Sequence, residues 1–465
     1  MSVDGLLQSG SRFLARGLPA RRHGRPTRET ALPRDAQINR LARVVISLRE
    51  TPRVLLPNSL INALDTVGSG GSLLLSQVFG LTQELTHFDA THFRDFIWRA
   101  LFAKTLDARH LDAVVAASFR VASVPWGAMH RFGMLMRIAT GCARYPRLDT
   151  RGYDVMIAET PYPARLTRGT RMVVRYHDAI PLLMPHTISD KAYHQASHYQ
   201  ALRANVREGA YFSCVSEATR ADLVSIFPEA EPRAVTIPNM VSEAYFPEDS
   251  PRDRVPEILR TRRHAAPLRA ASSAALAGRR EERSNYLLMV STIEPRKNHL
   301  ALLSAWERLR AEGRRMLRLV LVGGLGWSHE PIVRRFKPWL ESGELVMLEN
   351  VPADELRLLY RHAAVTVCPS LYEGFDFSGV EAMRSGGIVA ASDIAVHRGV
   401  FADGARYFNP YSVEALAGLL ARLLGESGAG WRGELLAAGA RVSAGYLPER
   451  ILPQWQAFLH QVHGV

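Results

Sequence analysis

Two glutamates separated by seven residues, Glu373 and Glu381, flank the predicted start of a helix, a position where ligands often bind. The apolar run from 363 to 368 predicts a buried strand just before them. Ser378, three residues before Glu381, predicts a short helix that begins with a capping box. One carboxylate would then lie in the loop before the helix and the other in its first turn. The unpaired amides of that turn would favour an anion in the loop.

Spacing alone leaves a structural alternative open for both glutamates. Glu381 would then only cap its helix, and Glu373 would be a solvated loop acid. The two interpretations differ in what the carboxylates contact, and spacing does not determine that.

Two adjacent cations, Arg296 and Lys297, occupy a similar position after another predicted strand, 286–291. They stand just before a helix that Asn298 can cap. The pair suits a diphosphate, because Arg offers a planar fork of donors and Lys a point charge. The structural alternative is an ordinary exposed basic turn.

A histidine, His177, directly follows the strand-like run 171–176. A histidine after a strand is either a hydrogen-bonded structural residue or a functional one. Farther along the chain, Ser216 predicts a helix N-cap. Repeated strand, loop and helix patterns predict an α/β protein with parallel sheets, whose ligands bind beyond the carboxyl ends of the strands.

The stretch around the two glutamates resembles a known family. Glu-Gly-Phe at 373–375, Glu-Ala-Met at 381–383, the glycine pair at 386–387 and Val-Ala-Ala-Ser-Asp at 389–393 closely resemble the retaining GT-B glycosyltransferases that use nucleotide-sugars. The resemblance is to the family 4 type, which includes bacterial mannosyltransferases of lipopolysaccharide and polysaccharide biosynthesis. It implies GT-B architecture, with two Rossmann-like α/β/α domains that face each other across a cleft.

The family resemblance also implies roles for particular residues. Glu373 and His177 would be the catalytic residues beside the donor sugar. Arg296 and Lys297 would bind the donor diphosphate, since Glu-Pro-Arg-Lys-Asn resembles the family's diphosphate loop.

Further donor contacts follow from the same resemblance. Glu381 would bind the nucleotide ribose, and the backbone at Val351 would lie beside the base. The loop contacts to the donor sugar would come from Gly374, Phe375 and Asp376. This sequence departs from the family at 376–378, where many members have Gly, Leu and Pro, so the donor identity stays open.

The chain is expected to divide into five parts. Residues 1–40 form a basic extension that is expected to be disordered, 41–247 an N-terminal Rossmann-like domain on the acceptor side, 248–284 an arginine-rich linker or insertion, 285–445 a C-terminal Rossmann-like domain that binds the nucleotide-sugar, and 446–465 a helix that returns toward the first domain. The glycine cluster at 67–72 either cradles a phosphate or forms a surface turn.

Composition sets outer limits on function. The 465 residues carry a formal net charge of +13, which favours anionic partners such as diphosphates or an anionic membrane surface. Cys142, Cys214 and Cys368 have no metal-binding spacing and fit a reducing compartment. The sequence shows no spanning segment or usual secretory signal. We therefore expect a cytoplasmic protein, either free or peripheral at the inner face of the membrane.

The expected reaction moves a sugar from a GDP- or UDP-sugar to an acceptor hydroxyl with retention of configuration. The acceptor would be a glycan or a lipid-linked glycan of the cell surface. No Asp-x-Asp occurs in the chain, so neither a metal nor another cofactor is expected.

Two alternatives stay open at this level. A GT-B nucleotide-sugar epimerase or a phosphorylase would share the scaffold. A basic nucleic-acid-binding protein is the other, but the arginines lie mostly in two irregular segments without interleaved aromatic residues, so no specific nucleic-acid partner is expected.

Overall fold

The computed structural model has two α/β domains joined by a seam of direct contacts. It describes residues 13–16, 70–71, 73–75, 79–88, 93–103, 106, 108–122, 124, 126–188, 190–263 and 285–464. The predicted phosphate loop at 67–72 lies outside these residues except for Gly70 and Gly71, which are helical.

Parallel strands organise the first domain. Its strands are β1 Phe13–Arg16, β2 Thr82–Gln83, β3 Leu85–Phe88, β4 Ser118–Ala122, β5 Arg147–Leu148, β6 Val155–Ala158, β7 Arg165–Leu166, β8 Arg171–Tyr176, β9 Tyr211–Cys214 and β10 Ala234–Thr236. The central sheet is parallel in the order β10-β9-β8-β6. Two smaller sheets flank it, β1-β4-β3, which is antiparallel, and β2-β5-β7, which is parallel.

Six α-helices of the first domain lie within the described residues. They are α1 Arg94–Ile97, α2 Leu111–Val115, α3 Trp126–Thr140, α4 Ile180–Leu183, α5 Lys191–Arg207 and α6 Glu217–Ile226. Ser216 caps α6 as predicted, because its Oγ accepts a hydrogen bond from the Thr219 amide at 3.1 Å.

The second domain is built on one parallel six-stranded sheet. Its strands are β11 Tyr286–Val290, β12 Arg318–Val322, β13 Leu345–Leu348, β14 Val365–Cys368, β15 Val389–Ser392 and β16 Ala405–Phe408, in the order β13-β12-β11-β14-β15-β16. Nearly every residue in these strands is buried or half-buried, which is typical of a sheet covered on both faces. The order reverses direction between β11 and β14, as in a Rossmann sheet.

The helices of the second domain lie on both faces of that sheet. They are α8 His299–Ala311, α9 Glu330–Glu341, α10 Ala353–His362, α11 Phe377–Arg384, α12 Ala395–Phe401, α13 Val413–Leu424 and α14 Ala429–Ala444, with α7 Arg254–Thr261 before the sheet. The last helix, α15 Pro448–His463, packs Ile451, Phe458 and Val462 against Val173 and Ile237 of the first domain.

The structure describes parts of the two segments that the sequence predicts to be irregular. Within 1–40, Phe13–Arg16 forms an edge strand that pairs antiparallel with β4. Within 248–284, the described part contains helix α7. Val255, Ile258 and Leu259 fall on one helical face and are buried in the core of the second domain.

Among the helices that the structure describes, none combines the length and apolar character needed to cross a membrane.

Gly374 lies at a close approach between the domains, so a substitution there tests the contacts that join them. A Cβ at this position would lie 1.8 Å from the carbonyl oxygen of His177. Gly374→Ala should therefore lower the free energy of unfolding by about 1 to 3 kcal/mol, the usual cost of overpacking. Gly399→Ala is the matched control, because its Cβ would meet nothing within 4 Å. Equal urea midpoints for Gly374→Ala and wild type would contradict the close packing of Gly374 against the His177 backbone.

Candidate active site

The two predicted site loops leave neighbouring strands at the point where the strand order reverses. Strands β11 and β14 are hydrogen-bonded to each other. The chain after β11 carries Arg296 and Lys297 in a short 3-10 turn, and the chain after β14 carries Glu373. Ligands of open α/β sheets bind in this crevice, outside the carboxyl ends of the strands.

Glu373 lies between the two cations and pairs with both. Its Oε2 is 2.8 Å from Nη1 of Arg296, and its Oε1 is 2.5 Å from Nζ of Lys297. Glu373 is only 6% exposed. Burial alone would raise the pKa of Glu373, but the two neighbouring positive charges hold it below its ordinary value. The structural alternative of a solvated loop acid is therefore wrong.

Arg296 is fixed by further hydrogen bonds. Its guanidinium donates to the Glu294 carboxylate at 2.7 Å and to the Tyr372 carbonyl at 2.6 Å. Burial would lower the pKa of Arg296, but Glu373 and Glu294 hold it above its ordinary value. Sequence analysis missed Glu294 as a partner, although it stands two residues before Arg296.

A cavity of about 220 Å³ lies between the domains beside this ion cluster. The second domain contributes Glu294, Arg296 and Trp327 to its lining. The first domain contributes the larger share: Thr160, Pro161, Tyr176, His177, Asp178, Ile180, Pro181, Thr187, Ile188, His194 and His198. Of the predicted site residues, His177 and Arg296 line this cavity. The others are not among its lining residues: Lys297, Val351, Glu373, Gly374, Phe375, Asp376 and Glu381.

His177 is held at the cavity by a carboxylate of its own domain. Its Nε2 lies 3.4 Å from Oε2 of Glu159, and the hydrogen bond to His177 lowers the pKa of Glu159. Asp178, the next residue, is a buried acid whose pKa is raised by desolvation. Asp178 also lines the cavity, and the sequence patterns did not identify it as a site residue.

The same loop ties the two domains together. The Gly374 carbonyl accepts a hydrogen bond from Thr219 Oγ1 at 3.2 Å, and the Tyr372 hydroxyl donates to the Asp222 carboxylate. Phe375 is buried against Phe377 and Tyr446, with ring centroids 5.2 Å apart in each pair. Phe375 therefore anchors the loop in the core.

The predicted capping box of Ser378 and Glu381 is wrong. The N-cap of α11 lies two residues earlier, at Asp376, which has a left-handed conformation (φ 64°). Asp376 Oδ1 accepts from the Ser378 amide at 3.1 Å, and its Oδ2 lies 3.0 Å from Nε2 of His397. Burial would raise the pKa of Asp376, but the His397 hydrogen bond holds it below its ordinary value. Asp376 is thus a helix cap engaged by a buried histidine.

Glu381 faces two tyrosines instead of a helix amide. Its Oε2 accepts a hydrogen bond from the Tyr360 hydroxyl at 2.9 Å. Burial and the nearby Glu381 carboxylate raise the pKa of Tyr245. Desolvation raises the pKa of Glu381 to about 7. Glu381 lies in the second turn of α11, and Val351 is half-buried against the neighbouring core.

Asn298 stands at the N-cap of α8, but its side chain does not cap the helix as predicted. Its Nδ2 donates to the carbonyls of Pro369 and Pro410, at 3.1 and 2.9 Å. Asn298 therefore joins the β11 loop to the β14 loop. Within the part of the chain that the structure describes, no cluster of three or more His, Cys, Asp or Glu side chains is arranged to hold a metal ion.

The two Rossmann-like domains and the cavity between them define a protein of GT-B fold. Residues 277–430, which include most of the second domain, match the family model "Glycosyl transferases group 1". The chain also shares the GT-B fold of sucrose-phosphate synthase from Thermosynechococcus elongatus. The TM-score is 0.53 at 17% sequence identity, over 73% of this chain and 79% of that one.

Two curated relatives are mannosyltransferases by name. The chain is 27% identical over 259 residues to O-antigen chain mannosyltransferase B of Escherichia coli, covering 55% of this chain and 61% of that protein. It is 36% identical over 146 residues to MMP alpha-(1->4)-mannosyltransferase of Mycolicibacterium hassiacum, covering 30% of this chain and 34% of that protein. The chain thus spans less than two thirds of the length of either relative.

Glu381 should make stability fall as pH rises. Its folded pKa of about 7 exceeds the ordinary value of 4.5, so between these values the unfolded state releases a proton that the folded state keeps. Glu381→Gln removes this proton linkage. Relative to wild type, the variant should therefore become more stable by about 1 to 3 kcal/mol between pH 5 and pH 8.

Urea unfolding at both pH values measures this difference. Glu449→Gln is the control, because Glu449 is an exposed glutamate with no ion-pair partner among the described residues. A constant difference between Glu381→Gln and wild type at pH 5 and pH 8 would show that the carboxyl ionises normally.

Proposed function

We propose that this protein transfers a hexosyl unit, mannose in the first instance, from a nucleoside-diphosphate sugar to a glycan hydroxyl with retention of configuration. The observation that carries the proposal is the Arg296–Glu373–Lys297 ion cluster at the switch point of the sheet, beside a cavity that His177 lines from the other domain. The names of the two mannosyltransferase relatives support the choice of sugar.

The diphosphate of the donor would take the place of Glu373 against the cations. Arg296 and Lys297 directly precede α8, so the donor phosphates would also face the unpaired amides of its first turn. Stabilising the charge that develops on the leaving diphosphate is the main contribution this arrangement can make to catalysis. The donor is a GDP- or UDP-sugar. The Glu381 carboxylate would accept hydrogen bonds from its ribose hydroxyls, and Val351 would lie beside its base.

The sugar would lie in the cavity between the domains. His177 would face it from the first domain, and Glu373 with the backbone of Gly374, Phe375 and Asp376 would orient it from the second. The acceptor hydroxyl attacks the anomeric carbon from the side that the diphosphate leaves. The carbon–oxygen bond to phosphate breaks, the new glycosidic bond forms, and the acceptor proton passes to the departing phosphate oxygen.

Each domain would then have a distinct task. Residues 285–445 would bind the nucleotide-sugar, and 41–247 would bind the acceptor, a glycan or lipid-linked glycan in polysaccharide or lipopolysaccharide assembly. The basic surface of the chain, with its net charge of +13, would favour contact with an anionic membrane at the cytoplasmic face.

Substitutions of Lys297 and Glu373 should change the affinity for the nucleoside diphosphate product in opposite directions. Lys297→Ala removes a charge-assisted contact of about 1.5 to 3 kcal/mol and should weaken nucleoside diphosphate binding about tenfold to a hundredfold. Glu373→Gln removes the anion that competes for both cations. It should therefore bind the same product at least as tightly as wild type, yet lose most of its sugar-transfer rate.

Isothermal titration with GDP and UDP, together with a transfer assay, measures both effects. Lys337→Ala is the control for Lys297→Ala, because Lys337 is an exposed lysine on α9. If Glu373→Gln transfers sugar at the wild-type rate, the ion cluster is not the reaction centre.

Activity should not depend on an added divalent metal. Arg296, Lys297 and the α8 amides supply the positive charge that a metal would otherwise bring to the diphosphate. Sugar transfer should therefore keep its rate after exhaustive EDTA treatment. Recovery of activity only upon addition of magnesium or manganese would contradict this assignment.

A further inference from the structure

A second cleft, of about 410 Å³, lies in the first domain and is lined by arginines from three elements. Arg144 follows α3, Arg165 lies in β7, and Arg203 and Arg207 occupy the last turns of α5. Glu208 contributes the single carboxylate of the lining. Four positive charges thus face one negative charge across the same space.

Three of these four arginines have no side-chain partner among the residues that the structure describes. Within the described residues, Arg144, Arg203 and Arg207 make neither an ion pair nor a side-chain hydrogen bond. Arg165 donates through Nε to the Tyr145 carbonyl at 3.3 Å, which leaves the rest of its guanidinium available.

Some other arginines of the domain are neutralised by nearby carboxylates. Arg151 is 2.5 Å from a carboxylate oxygen of Asp149, and Arg220 is 3.1 Å from one of Glu217. In the cleft, by contrast, four arginines line one space with a single carboxylate.

Helix electrostatics explains only part of the cluster. Arg203 and Arg207 are favoured at the C-terminal end of α5 by the helix dipole, which contributes about 0.3 to 1 kcal/mol for each cation. Arg144 and Arg165 come from other elements, so the dipole does not account for them. Repulsion among like charges in one cleft disfavours the empty site and is relieved by a bound anion.

We propose that this cleft binds a diphosphate or oligophosphate group. Guanidinium forks match phosphate oxygens in paired hydrogen bonds, and several converging forks suit an anion of more than one charge. Carboxylates and monophosphates would use fewer of the four arginines.

Helix α5 contributes residues both to the cleft and to the cavity between the domains. His194 and His198 of this helix line the cavity, and Arg203 and Arg207 line the cleft. At about 1.5 Å of rise per residue, the two sites are separated by about 8 to 20 Å along the helix axis. A molecule that holds its phosphates in the cleft can present its other end to the cavity. The phosphates in the cleft would belong either to the glycan acceptor or to a free oligophosphate. The first alternative rests on the proposed function.

Inorganic pyrophosphate is the probe for the site itself. Titrations are made in the Lys297→Ala background, which weakens the donor site. We expect saturable binding that Arg144→Glu/Arg207→Glu weakens at least tenfold. Both residues are exposed, so the fold should be retained, and circular dichroism checks this.

Two further variants make the result specific. Arg168→Glu/Lys191→Glu makes the same charge change at two exposed cations of the domain outside the cleft, and should keep pyrophosphate affinity within twofold. Arg203→Gln should weaken binding without reversing a charge. Absence of saturable binding in the Lys297→Ala background, or equal losses in the cleft and control variants, overturns the proposal.

Transfer assays then distinguish the two phosphate sources. They use an acceptor glycan with an alkyl diphosphate at its reducing end and the same glycan without phosphate. If the acceptor carries the phosphate, Arg144→Glu/Arg207→Glu raises KM at least tenfold for the first acceptor only, with kcat and the donor KM unchanged. If KM is unchanged for both acceptors while pyrophosphate binding is lost, the ligand is a free oligophosphate. Pyrophosphate binding without any sugar transfer would refute the proposed function and leave the cleft site standing.

Discussion

The contact of Glu373 with Arg296 and Lys297 is the interaction on which the rest of the site depends. Two adjacent cations at the start of a helix repel each other and are disfavoured by the positive end of the helix dipole. A buried carboxylate is equally unfavourable without a partner. Each charge is tolerated because the others are present, and Glu294 completes the neutralisation of Arg296. Removing one member leaves the remaining charges uncompensated in a desolvated place.

This ion cluster also determines where the domains meet. Glu373 is followed directly by Gly374, whose missing side chain lets the loop approach the His177 backbone. Tyr372, the residue before Glu373, donates its hydroxyl to Asp222 of the first domain. Three consecutive residues thus join the cations, the cavity and the seam, so a ligand that displaces Glu373 acts on the contact between the domains as well.

The positive charge of the chain is used in two different ways. At the ion cluster the cations are paired and buried, so they are held in place before a ligand arrives. In the first-domain cleft the four arginines form no ion pair with a described residue and are partly or fully exposed. Such groups attract anions over a longer range but are screened by salt. The acidic partners, more than the number of arginines, determine which cations are pre-organised.

The sequence by itself determined the elements and the local chemistry of this protein. Buried parallel strands appear as apolar runs, the Ser216 cap is specified within four residues, and Arg296 and Lys297 are neighbours in the chain.

Only the tertiary structure decided which groups meet. Glu373 and Lys297 are 76 residues apart and are brought together by the pairing of β11 with β14. The capping box failed because His397, on another helix, holds Asp376 at the N-cap, and Glu381 turns toward tyrosines from distant segments. Patterns of a few residues specify backbone hydrogen bonds, which are local, whereas ion pairs and shared clefts depend on strand order and helix packing.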